Sequence, residues 1–499
     1  MKKIMKVFVL IMGIIVLTMP AYCEEVSTQL PPIKLTWYFV GNGQEKDTVL
    51  VETAINEYIA KNTTLNCSIK LRCYDWTNYD KKMQQMINSA EEFDICFTSN
   101  WSNNYYIRAS QGAFISLDSL LPTYAPKTTI LLGEDYLKGT YVNGSCYAIP
   151  SNKEKATQYG LLIRKDLVQK YNMDLSKVKK LEDMEPFFEI IKKKEPSMYV
   201  LDPRSVEAPS EMLNMRSLGC EVTSQTSTWI GGVYYDTKDY KVINQLETPE
   251  MIAYMKLMQS YVQKGFISKE VAEEGNYVID EMYGKIFCSL TELYPGQAYY
   301  AEARSGYEYI SIPLTKAVMS TKNSTGAMQA ISATSNNPER ALMFLELVNT
   351  DKALNNLLNF GIEGKHYIKV KGKTNIIQAG EEERAYNPGL GWAFGNQMLN
   401  YAFNERENQF INEMQSFNEQ AQIDKTIGFV FNPDSVYTQI ENCNLIWEKQ
   451  VRPMLLGAGD VTTDLPRAKK ALKAAGVDDI ISEMQKQLNA WKMKNKINN

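Results

Sequence analysis

The chain has one histidine, His366. A Ser–His–Asp triad or a Cys–His pair would have to use it. It lies in GIEGKHY with no G-x-S-x-G nearby, so it reads as an ordinary polar residue near a turn. A metal centre with two imidazole ligands is impossible with one histidine. No C-x-x-C occurs, which leaves zinc-ribbon and thioredoxin-like sites without support. There is no G-x-x-x-x-G-K-[ST] phosphate loop. GLGWAFG, Gly389 to Gly395, has the wrong spacing for a dinucleotide fingerprint and follows Asn387-Pro388 rather than a strand. Basic excess is missing as well. The formal charge is −4, so phosphate backbones find no complementary surface and nucleic acid is not an expected partner.

Long apolar runs are confined to the amino end. Lys2, Lys3 and Lys6 lead into VFVLIMGIIVLTM, thirteen residues from Val7 to Met19. A basic segment before an apolar stretch too short to span a bilayer fits an export signal covering residues 1–23. Two endings fit Pro20-Ala21-Tyr22-Cys23. Cys23 is a lipidated first residue, although Tyr22 is bulky where such signals carry a small one. Alternatively, cleavage follows Cys23. Both place the mature chain outside the cytoplasmic membrane, either on its outer face or secreted. Losing the three lysines takes the formal charge from −4 to −7.

Eight cysteines suggest disulfides in an exported protein, but their placement argues against a framework. In LNCSIKLRC, Cys67 and Cys73 alternate with Leu65, Ile69 and Leu71 on one face of a strand and act as small hydrophobes. Six strand residues span roughly 20 Å, too far for one bridge. Cys96 lies inside an apolar run.

Length, 499 residues, argues for two or more domains. Ile33–Val40 reads as a strand, followed by a helix that Asp47 can cap, the Cys67–Cys73 strand, a helix from Tyr79 and the strand Phe93–Thr98. That alternation is the rhythm of an open parallel sheet. It resumes less cleanly at Gly144–Pro150, Tyr159–Asn172 and Gly284–Gly296. Ser335–Gly361 is the strongest helical segment, with Asn337 as cap and Pro338 in the first position. The last seventy residues are helical. Two α/β lobes with a helical carboxyl-terminal part are expected: lobe 1 at 33–150 with a return near 285–330, lobe 2 at 151–284 and 331–427, and a helical domain at 428–499.

Aromatics are plentiful: 7 Trp, 30 Tyr and 17 Phe. Several stand at turns, namely Trp76, Trp101, Tyr105, Tyr106, Trp229, Tyr294 and Trp392. A pyranose offers an apolar C–H face to an aromatic ring, and its hydroxyls need partners when they lose water. Asn100 beside Trp101, Trp392 before Asn396-Gln397, and Glu292 before Tyr294 supply both halves. Ligands of parallel sheets bind beyond the carboxyl ends of the strands, where Ser99-Asn100-Trp101 falls. The candidate ligand-binding residues are Asn42, Asn100, Trp101, Trp229, Glu292, Tyr294, Glu363 and Trp392. Glu292 and Glu363 are also the acids to test for glycosidase chemistry, which needs two carboxyls about 5 to 10 Å apart.

FDICFTSNW, GAFISLDSLL, YVNGSCYAIPSNKE and LLIRKDLVQKYNMD, in that order, resemble extracellular solute-binding proteins of family 1. These are capture subunits of bacterial ABC sugar importers. Ile331–Tyr367, Gly395–Gln397, Gly428–Val436 and the closing LKAAGVDDIISEMQKQLNAW resemble the lipoprotein subgroup with an extra carboxyl-terminal domain of unknown function. The resemblance spans nearly the whole mature chain. It implies a two-lobe, type II periplasmic-binding-protein-like fold with a hinge crossed more than once. It also implies an oligosaccharide clamped between the lobes, no catalysis, no cofactor or metal, and delivery to importer membrane subunits by a monomer. Closure would set Asn42, Asn100 and Trp101 against Trp229, Glu292 and Trp392. The rival expectations are a secreted glycoside hydrolase or lyase, and a binder of peptides or amino acids.

Overall fold

Leu35, Trp37 and Phe39 alternate along Ile33–Gly41 and are all buried, so one face of this strand is committed to a core. The computed structural model describes residues 30–203, 209–219, 230–274 and 283–497. The leader, Cys23 and Trp229 therefore lie outside the described residues. Ile33–Gly41 (β1) pairs in parallel with Cys67–Asp75 (β2) on one side and Ile95–Thr98 (β3) on the other. Met328–Ile331 and then Ala148–Pro150 extend the sheet antiparallel, giving five strands where the sequence suggests a purely parallel sheet. The helix Thr48–Asn62 buries Val51, Ile55 and Ile59 against it.

A second sheet orders Tyr309–Pro313, Gln158–Arg164, Ile286–Leu293 and Tyr199–Asp202. Its core gathers Leu161, Ile163, Phe188, Phe287 and Leu290. Two domain assignments expected from sequence need correction here. Residues 286–313, expected to return to the first lobe, are strands of the second sheet; only Met328–Ile331 goes back. The helices Pro338–Thr350 and Lys352–Phe360, expected in the second lobe, pack on the first, with Phe344 edge-on to Trp37 at 5.8 Å. The apolar stripe of Ala341, Phe344, Leu345 and Val348 predicts a buried face but carries no information about which sheet covers it. Nor is Ser335–Gly361 one helix. It breaks at Asp351, whose carboxylate accepts from the amides of Ala353 and Leu354 and starts a second helix.

The carboxyl-terminal helices are not a detached domain. Phe429, Phe431, Ile440, Cys443, Trp447, Leu472 and Leu488 share one core with Met215, Leu218, Ile230, Val233 and Leu246 from the middle of the chain. Arg216 and Asp424, both buried, pin the junction at 3.1 Å, and the same guanidinium donates to the carbonyls of Thr426 and Phe429. All six described cysteines, Cys67 and Cys73 among them, are free thiols.

Three passages of chain run between the lobes. They leave Pro150 for Gln158, Pro313 for Met328, and Tyr401 for Phe429. The passages touch one another through the Thr157–Val318 bridge and the short parallel pair Val318–Gln422 and Met319–Ile423. This narrow ladder is the hinge. Lys155 lies just before it, its ammonium buried and donating to the carbonyls of Leu131 and Leu132.

Candidate functional site

Because β1, β2 and β3 are parallel, their carboxyl ends share one edge of the sheet. Three turns leave from that edge: Asn42 after β1, Trp76 after β2, and Ser99-Asn100-Trp101 after β3. Trp76 and Trp101 are each 50% exposed. Their ring centroids are 6.1 Å apart with planes at 28°. Trp392, from the later loop 389–395, completes the group, 6.4 Å from Trp76 at 17° and 6.0 Å from Trp101 at 42°. Near-equal separations make a triangle of rings rather than a column. Phe97 supports it from below, edge-on to Trp392 at 5.9 Å and tilted to Trp101 at 5.7 Å.

The triangle is held by its edges. The Trp76 indole N–H donates to Asn42 Oδ1 at 3.3 Å, and that of Trp101 donates to the Gly326 carbonyl at 2.8 Å. Asp75 accepts from the amides of Thr77 and Asn78 and from the Asn78 side chain, which holds its carboxyl below the usual range and fixes the turn carrying Trp76. Trp392 is steadied through its neighbour. The Ala393 carbonyl accepts from Gln329 and Ser151, and Gln329 in turn accepts from the indole of Trp37. With their N–H groups directed inward, Trp76 and Trp101 offer faces rather than donors to an incoming molecule.

A polar cluster lies by the hinge, linked to this group through residues 322–326, whose carbonyls accept from Asn100 and Trp101. Lys322 Nζ donates to Glu292 Oε1 at 3.0 Å and lies 3.8 Å from Glu211 Oε1. The Tyr159 hydroxyl lies within hydrogen-bond distance of both carboxylates, 2.8 Å from Glu292, and its single proton serves one of them at a time. Burial acts to raise the Glu292 carboxyl, but Lys322 and Tyr159 outweigh it and hold the group below its ordinary value. A small pocket opens here, lined by Thr157, Tyr159, Glu211, Tyr235, Ser320 and Lys322 among others. Tyr294 lies beside it, its hydroxyl raised by burial and by the neighbouring Glu154.

The structure thus brings Asn42, Trp101 and Trp392 together and sets Glu292 and Tyr294 by the hinge. Trp392 stands on the first lobe beside Trp101, not across from it as the sequence suggests; its loop is bonded to Gln329 of the first sheet. Asn100 is adjacent, but its side-chain N–H group is used by the Lys322 carbonyl and Thr325 hydroxyl. Glu363 forms an exposed ion pair with Lys369, whereas Glu292 is held by Lys322 and Tyr159. Tyr105 and Tyr106 are core residues. Trp76 is the member the candidate list missed; its place after a strand ending in Asp75 was the available signal. His366 is buried, accepts from the Ile362 amide through Nδ1 and reaches Asp47 at 3.2 Å. Asp47 accordingly makes no side-chain cap to the helix it precedes. Among the described residues no cluster suited to a metal ion occurs.

Several known proteins share this architecture. A crystal structure of the N-glycan transport solute binding protein (NgtS) from Streptococcus pneumoniae superposes with a TM-score of 0.79 at 24% identity, covering 93% of this chain and 100% of that one. The fold is that of a solute-binding protein. NgtS in complex with Man5GlcNAc superposes less closely, with a TM-score of 0.66 at 24% identity, covering 94% of this chain and 100% of that one. A protein of Streptococcus pneumoniae serotype 4 named carbohydrate ABC transporter substrate-binding protein is 27% identical over 475 residues, which is 94% of this chain and 92% of its own length. Residues 425–493 match a domain of unknown function, DUF3502. The solute-binding fold and the extra carboxyl-terminal domain that the sequence resembles are both present. Among the described residues no helix is long and apolar enough to cross a membrane.

Proposed function

We propose that this chain is an exported solute-binding protein that holds an oligosaccharide between its lobes and hands it to an ABC importer without altering it. One observation carries the reading: three tryptophans, two of them half exposed, tile the carboxyl edge of parallel strands beside a hinge lined with carboxylates, tyrosines and a lysine. Rings cover the C–H faces of sugars, and Glu292 and Tyr294 take up hydroxyls that would otherwise lose water without a partner. Asn42, Trp76, Trp101 and Trp392 are the platform; Glu292 and Tyr294 are the opposing contacts. The solute-binding architecture and the names of the similar proteins support the same reading. Lobe closure stabilises the complex only as far as the ligand prefers the closed form.

The test is a titration of the mature protein with neutral oligosaccharides, followed by tryptophan emission and by calorimetry. Micromolar or tighter binding at one-to-one stoichiometry is expected. No binding across a mannose-, glucose-, galactose- and GlcNAc-containing panel would end the carbohydrate reading. In parallel, incubation with polysaccharides should release no reducing ends; turnover would establish a hydrolase or lyase instead. Peptides in the same titration should give no heat.

A further inference from the structure

We infer that Lys322 is a positioning residue that couples the tryptophan platform to the angle between the lobes. Lys322 stands on the short turn Thr321–Ser324, which belongs to the first lobe: Tyr136 donates to the Asn323 carbonyl, and Ser324 fills the space beside Gly139. Its side chain crosses to the second lobe and meets Glu292 on one strand and Glu211 on a 3-10 turn. Tyr159, on a third element of that lobe, has its hydroxyl within hydrogen-bond distance of both acids. One cation of the first lobe therefore faces two carboxylates of the second. Without it two carboxylates would meet at the Tyr159 hydroxyl with one positive charge fewer, and like charges that close repel.

The same turn holds the platform. The Asn100 amide donates to the Thr325 carbonyl, and the Asn100 side chain donates to the Lys322 carbonyl and the Thr325 hydroxyl. Trp101 donates to the Gly326 carbonyl. Residues 322–326 thus carry the ligand-facing loop on their backbone and the interlobe cation on their side chain. A ring pressed onto Trp101 bears on the element whose lysine sets the lobe angle. A ligand biases an equilibrium only by such a differential contact. The clasp holds the lobe angle of this structure, and closure onto a ligand is the departure it opposes.

The first arm of the test needs no ligand. Small-angle scattering of the ligand-free mature chain should change for Lys322→Met and for Glu292→Gln, with a smaller radius of gyration as the lobes are released to close. Lys322→Arg, which keeps the charge, should reproduce the wild-type profile. Superimposable profiles for wild type, Lys322→Met and Glu292→Gln overturn the inference. If Lys322→Met does not fold, as judged by circular dichroism, Glu292→Gln with Lys322→Arg decides it. The second arm rests on the carbohydrate reading. A mannose-rich oligosaccharide with one GlcNAc should bind Lys322→Met about fivefold more tightly than wild type, because less closure has to be driven by the ligand. Tenfold weaker binding with an unchanged scattering profile would make Lys322 a direct ligand contact and not a clasp. Absence of sugar binding in every variant would sink the function while leaving the scattering result to stand or fall alone.

Discussion

Trp76 and Trp101 are half exposed although a tryptophan has the most to gain from burial. Their indole N–H groups are satisfied, so the exposed part is the apolar face. Such exposed faces add little to folding, and under the proposed function they serve ligand binding. Trp101→Ala should weaken oligosaccharide binding by ten- to one-hundredfold, about 1.5–3 kcal/mol for an aromatic anchor. The melting temperature should stay within a few degrees, and calorimetry beside a thermal melt separates the two. The contrast is Arg216, buried against Asp424 with two further carbonyls on its guanidinium. Arg216→Met leaves a buried carboxylate without its cation, so a loss of roughly 3–5 kcal/mol is expected in urea unfolding, with binding by the folded fraction unchanged.

At the scale of elements, the site is assembled from ends. The turns after three parallel strands supply Asn42, Trp76 and Trp101, while one loop delivers Trp392. That loop needs Gly391. A Cβ there would sit 2.5 Å from Asn400 Nδ2, itself part of the amide network with Asn359. Gly391→Ala should displace Trp392 and lower oligosaccharide affinity several-fold while Trp101→Phe, keeping a ring, lowers it less. Helix boundaries offer a second check. Asp351 starts the helix Lys352–Phe360 and also accepts from Tyr58, whose hydroxyl it helps push up to about 12, behind the effect of burial. Asp351→Ala should cost about 1–2 kcal/mol by chemical denaturation, as loss of an N-cap does.

The whole molecule is two lobes on a three-passage hinge, with the carboxyl-terminal helices built into the second. Since Trp447, Leu472 and Leu488 share a core with Met215 and Val233, a chain ending at residue 427 would leave that core open. It should be insoluble or lose cooperative unfolding, which solubility and a urea melt would show. Near the hinge, burial pulls the Lys155 amine down to about 8. The unfolded chain, with an ordinary lysine, binds more protons than the native one between that value and about 10.4, so stability should rise with pH across this window. Below about 8 both states are protonated and the contribution levels off. The difference in stability between wild type and Lys155→Met, followed from pH 7 to 10, should therefore move in favour of wild type.

The sequence by itself determined the elements and their chemistry. Alternation made β1 and β2, an apolar run made β3, and the absence of histidine pairs, C-x-x-C and phosphate loops removed whole classes of site. The position of Trp101 just past a strand end placed it at the carboxyl edge of the sheet, because parallel strands expose their carboxyl ends together. Periodicity states which face of a helix is buried but not by what, and so the sequence pattern alone puts the helices at 338–360 and the strands at 286–313 in the other lobe. Only the tertiary structure brought Trp392 beside residues some three hundred positions earlier and set Lys322 between Glu211 and Glu292. Those contacts join segments far apart in the chain, and such pairings are decided by how sheets and helices pack in space, which no local pattern of residues records.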